Sequence, residues 1–210
     1  HDPAPHTKSL LDRHVARVAC ATCHIPDFAR SEPTDMARDW SQVSFSEERG
    51  RYSARIELAS NVVPVYAWSD GTSWMQLPGE PVRRDGGGVV QMAVPQGSRQ
   101  DGRAQISPFK VHRGRLPILA EKGWLLPIQV DEIYVTGEVA PAVEEAARQY
   151  YGLDEVSYTW ADTVRYMGIS HGVRPAKQAL GCLDCHGEGG RMDWSRLGYD
   201  ADPLMARVER

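Results

Sequence analysis

All four cysteines of the 210-residue chain fall in two Cys-x-x-Cys-His runs, Cys20-Ala-Thr-Cys23-His24 and Cys182-Leu-Asp-Cys185-His186. Thiols three residues apart on a helical turn project from one side. They can therefore form thioethers to both vinyl groups of one porphyrin, with the adjoining imidazole placed on the iron. Two copies that consume every cysteine predict two c-type haems. Cys20, Cys23, Cys182 and Cys185 would hold the porphyrins, and His24 and His186 the irons. The competing chemistries are a zinc site of four thiolates or a pair of disulfides. Zinc knuckles usually lie roughly 15 to 20 residues apart, far closer than these runs, and neither alternative uses the two histidines.

Each iron needs a sixth ligand unless it is a substrate site, and His1, His6, His14, His112 and His171 are available. If one helix carries His14 through to His24, a rise of about 1.5 Å per residue separates their imidazoles by roughly 15 Å. Axial imidazoles on one metal need only about 4 Å between their nitrogens. His14 is then expected on the other haem, clamping the two ends of the chain together. His171, at a Gly/Pro break before the second motif, can serve either haem, and His6 is the reserve. His112, between Lys110 and Arg113, is read as exposed, Met167 as core and Lys177 as an exposed helical residue. Trp40 and Trp194 each follow a motif and can pack on porphyrin or in an ordinary core. Arg30, Arg38 and Arg191 can hold propionates or face solvent.

The elements expected to position these groups are mainly helical. Leu11, Val15, Val18 and Thr22 form a stripe running from Lys8 into the first motif, which Pro26 ends. The 27–46 stretch reads as irregular. Alternation at Tyr52, Ala54, Ile56 and Leu58 and again at Val63, Val65 and Ala67 predicts a hairpin, and Ile128 to Val135 a further strand. Helix returns at Pro141, runs through Val143, Ala147 and Tyr150, and stops at Gly152. A second helical stripe, Trp160, Val164 and Met167, leads to His171, and a short helix from Pro175 feeds the second motif. The expected fold is mainly α with irregular loops around two haems and a strand-containing, β-hairpin insertion between them. It forms one domain over 1–210, divided into a haem 1 segment (1–50), a strand-and-loop insertion (51–136) and a haem 2 segment (137–210).

A net charge of -4 with no long run of Lys or Arg excludes a nucleic-acid binder of the usual kind. No stretch approaches the roughly 18 to 20 apolar residues of a membrane span. Haem is attached to CxxCH outside the cytoplasm, so the expected location is the periplasm, with an export signal that is not in this chain. The expected partners are redox proteins, with docking on a membrane redox complex a further option.

Several segments together resemble the C-terminal part of the octahaem tetrathionate reductase family. They are His14 through Cys20, Cys23 and His24 to Arg30, then Pro33-Thr34 and Asp39-Trp40-Ser41, then Asn61-Val-Val-Pro64 with Tyr66 and Trp68. Ile106 to Lys110 follows, then Ser170-His171 to Lys177, and Cys182 through His186 to Trp194 and Tyr199. In that family a lysine-ligated catalytic haem lies in an N-terminal region, and the remaining haems are bis-His electron carriers. This chain has two such sites, not eight, so the resemblance implies the carrier role with His14 and His171 as distal ligands. A small reductase or oxidase acting on a sulfur or nitrogen oxyanion at an open haem is the competing reading.

Overall fold

A computed structural model describes residues 5–7 and 9–208. In chain order the elements are α1 (Ser9–Val15), α2 (Cys20–His24), β1 (Thr34–Ser46), β2 (Arg51–Ala59), β3 (Val65–Ser69), β4 (Ser73–Met75), β5 (Val90–Pro95) and β6 (Gln105–Leu119). They continue with α3 (Val130–Thr136), α4 (Val139–Tyr151), β7 (Tyr158–Gly168), a 3₁₀ turn (Ala176–Gln178), α5 (Cys182–Cys185) and α6 (Met205–Val208). Strand makes up 34% of the chain and helix 20%, which overturns the expectation of a mainly helical fold with a hairpin insertion. The strands form one seven-stranded mixed sheet in the order β2-β1-β6-β7-β5-β4, with β3 also paired to β6.

The sheet is built around β6, and its sequence explains why it is hard to see. Pro108 and Pro117 interrupt it, and Lys110, His112, Arg113 and Arg115 break its apolar alternation. Pairing supplies what local pattern lacks. Eleven consecutive residues of β6, Phe109 to Leu119, lie antiparallel to β7 from Gly168 to Tyr158. That ladder also settles β7. Its Trp160, Val164 and Met167 stripe fits a helix, but the segment is rich in Tyr, Thr, Trp and Val, which suit a pleated surface better. Met167, expected in the core, is 40% exposed.

The expected hairpin is redistributed. Both of its strands exist, but β2 pairs with β1 and β3 with β6. The 27–46 stretch read as irregular contains β1, disguised by its charges and by a bulge between Asp39 and Val43. The strand expected over 128–135 is α3. Asp131 and Glu132 sit in its first turn, where the helix dipole favours acids, and Gly137 ends it with φ +75°. No other residue fits at 137, because a Cβ there would lie 2.6 Å from the Tyr52 ring.

The expected helix at Pro141 is present as α4, closed by a left-handed Gly152. Its Ala142, Val143, Ala146 and Ala147 are wholly buried and form the stripe that faces the sheet. Val143 and Ala147 pack with Leu119 and Leu126, while Ala142 packs with Ile133, Trp40 and Ala54.

The other end of β6 receives both cysteine motifs. The chain leaves α1 at Val15 and runs beside β6 before α2 begins, so the expected continuous helix to His24 is broken. The backbone wins here: Ile106 N–H donates to Arg17 O (2.8 Å) and its carbonyl accepts from Ala19 N–H (3.0 Å). The buried Thr22 hydroxyl donates to the same carbonyl at 2.8 Å. The C-terminal segment then adds to this layer, with Ile169 N–H on Pro108 O (3.1 Å), Arg174 N–H on His24 O (2.7 Å) and Leu180 N–H on Cys23 O (3.0 Å).

Candidate haem-binding site

The two motifs are therefore neighbours, although 157 residues separate Cys182 from His24. In the first, His24 Nδ1 faces the Arg174 carbonyl at 3.0 Å. A carbonyl only accepts, so Nδ1 carries the proton and Nε2 is left with its lone pair for a metal. In the second, His186 Nδ1 faces Asp202 Oδ1 at 2.7 Å, with the same consequence. Burial works to raise the Asp202 carboxyl. The Gly187 N–H, the His186 ring and the Leu204 N–H outweigh it and hold the group at about 2. The Trp194 indole stacks on the His186 ring at 4.9 Å between centroids and 16° between planes.

His14 joins the second motif. Its ring centroid lies 6.4 Å from that of His186, at 73°, and its Nδ1 faces the Leu10 carbonyl at 3.0 Å, which again frees Nε2. His171 is exposed in a loop pinned on both sides, by Ile169 to Pro108 and by Arg174 to His24. Arg30 also donates to Gly172 O at 2.7 Å. His6 is tied to Asp12 through both its backbone N–H and Nδ1 (3.1 and 2.9 Å). His112, expected to be exposed, is largely covered. Its Nε2 faces Asp35 at 3.3 Å, and burial pushes its pKa down against the pull of Asp35. Lys177 is exposed as expected, while His1 and Lys8 lie outside the described residues.

The four thiols are free. Burial, then Cys20 and Cys182, push the Cys23 thiol up, and burial followed by Cys23 takes Cys185 up to about 11. Thiols from the two motifs thus feel one another. Among the described residues no three His, Cys, Asp or Glu side chains gather into a metal cage.

The family described as Cytochrome c bacterial matches residues 28–189. The chain belongs to the bacterial cytochrome c family. Membership carries covalently bound c-type haem and a haem-based electron-transfer or redox role. The crystal structure of octaheme cytochrome c from Shewanella oneidensis matches with a TM-score of 0.87 and 32% identity, over 98% of this chain and 51% of that one. The cytochrome here spans about half the length of that relative. No curated protein matches it.

The residues beside the motifs fit haem. Buried beside the motifs, Arg17 Nε, Arg174 Nε and Arg191 Nε have no hydrogen-bond acceptor. Leaving such groups unpaired costs on the order of 1–3 kcal/mol each, and a propionate carboxylate is the acceptor the chain itself does not provide. Burial pushes the Tyr66 phenol up despite the nearby Arg191 guanidinium. Arg191 Nη1 meanwhile donates to Pro26 O at 2.8 Å, linking the two segments. Of the other expected haem contacts, Arg30 and Trp194 lie here, but Arg38 and Trp40 do not. Arg38 pairs with Asp35 at 2.7 Å, and Trp40 is core beneath α3 and α4. Tyr66, Trp68, Ile106 and Met192 line the cluster around Cys185. Asp202 is the residue that spacing alone does not reveal, since no motif rule links it to a histidine 16 positions earlier.

A cavity of about 530 Å³ lies elsewhere, on the sheet between β2, β1, β6 and β7. Three of its arginines are already paired, Arg38 with Asp35, Arg55 with Glu57 and Arg115 with Asp162. Its lining includes no residue of either cysteine motif.

Proposed function

We propose that the chain is a periplasmic electron-transfer cytochrome holding two haems, one at each CxxCH, both low-spin and bis-His. A c-type haem supplies a one-electron Fe(III)/Fe(II) couple, and the protein sets its potential through axial ligands, burial and nearby charge. The observation that supports the reading is the nearness of the His14 ring to that of His186. Two metal–nitrogen bonds of about 2 Å, plus roughly 1.2 Å from each nitrogen to its ring centre, require centroids about 6.4 Å apart. The separation found is 6.4 Å. His14 then serves the haem of His186. His171 is assigned to the haem of His24, because its loop is bonded to the His24 backbone.

This crossed ligation would join the N- and C-terminal segments around neighbouring haems, and the role proposed is the exchange of single electrons with partner redox proteins. No described helix is long and apolar enough to cross a membrane. Optical and low-temperature electron paramagnetic resonance spectra test the reading, with all iron expected low-spin. A high-spin, five-coordinate signal from half the iron would sink it. Turnover of tetrathionate, nitrite or hydroxylamine with a reduced dye would favour the competing enzymatic reading.

A further inference from the structure

The two motif histidines differ in what holds Nδ1. At His24 the acceptor is a neutral backbone carbonyl, Arg174 O at 3.0 Å. At His186 it is the Asp202 carboxylate at 2.7 Å, with both side chains only 13% exposed. Asp202 is fixed by further donors, Gly187 N–H at 2.6 Å, Leu204 N–H at 2.8 Å and Met205 N–H at 3.4 Å. Every bond of its side chain is an accepted one, the pattern of an ionised carboxylate. It has no Lys or Arg partner among the described residues. The acid closest in sequence to His24 is different. Asp27 is neutralised by Arg174 at 3.1 Å and Arg30 at 3.4 Å.

We infer that Asp202 is a potential-setting residue that makes the haem site at His186 the lower-potential of the two, so that this site is the last to be reduced. The inference rests on the two-haem reading above. A carboxylate on Nδ1–H draws the proton toward itself and makes the ring a stronger donor, which favours Fe(III) over Fe(II). An uncompensated negative charge acts in the same direction. Arg191 opposes it, since its guanidinium acts on Cys185 beside His186 while its Nη1 is held by Pro26 O, but it makes no ion pair with Asp202. Trp194, stacked on one face of the His186 ring, fixes the plane in which Nδ1 meets Asp202.

The test is a spectroelectrochemical titration of the holoprotein, with haem content measured on the same sample. Asp202→Asn removes the charge and keeps the side-chain size. The expected result is a rise of the lower midpoint with the upper one unmoved, and Asp202→Glu should restore part of the difference. A lower midpoint that stays put, or two midpoints that rise together, overturns the inference. Because Asp202 also ties down the 202–206 turn, the unmodified protein provides a second arm. In partly reduced samples, haem methyl resonances assigned through contacts to Leu183 or Ala21 show which site fills last. The Leu183 site must fill last, and the reverse order overturns the inference. A count of one haem per chain ends the two-haem reading as well, whereas two haems with an unmoved lower midpoint end only the role of Asp202.

Discussion

At its 115–119 end β6 is completed by side chains alone, with Leu119 and Leu126 packed on the fully buried Val143 and Ala147 of α4. At its 105–109 end the same strand meets a layer that protein atoms leave unfinished. Cys20, Cys182, His14 and His171 are exposed, Leu183 is 73% exposed, and buried guanidinium nitrogens there lack acceptors. One sheet thus supports two kinds of core, one filled by the chain and one left for haem. The difference teaches that cofactor and fold are separable here: the α3–α4 end should stand without the haems.

That separation can be broken experimentally, most severely at the cysteines. Replacing Cys20 and Cys23 by Ala, or Cys182 and Cys185 by Ala, should each remove one haem of two. Hydrogen exchange at Val143 to Ala147 should stay protected, and loss of that protection would show the two ends to be one cooperative unit. His14→Ala should leave both haems attached but turn half of the iron high-spin in the paramagnetic resonance spectrum. Ile133→Ala makes the opposite cut. It should cost about 2–5 kcal/mol by urea denaturation, as for a fully buried aliphatic side chain, without moving the haem absorption bands. Lys177→Ala should do least, changing stability by no more than about 0.5 kcal/mol and leaving the spin state alone, because the residue is exposed and the proposed ligation does not use it.

The same contrast explains what was readable in the sequence. The thioether turns are a covalent requirement, so Cys-x-x-Cys-His declares itself locally, and α4 does so through a buried stripe bounded by Pro141 and Gly152. The sheet does not. Its central strand hides behind Pro108, Pro117 and four cationic or titratable side chains, and β7 imitates a helical stripe. Both become strands only because they pair with each other. Ile133 and Val135 show the converse error: the alternation is apparent, but one is wholly buried and the other 78% exposed, which a helix explains. Asp202 and the guanidinium Nε atoms without an acceptor are legible only once distant segments have been brought to the start of β6.

Intact mass spectrometry of material from a maturation-competent cell, after acid-acetone extraction, addresses the two-core picture most directly. It should find the polypeptide plus two covalently retained haems, with peptides mapping one to Cys20–Cys23 and the other to Cys182–Cys185. A polypeptide carrying a single haem, or none, would contradict it.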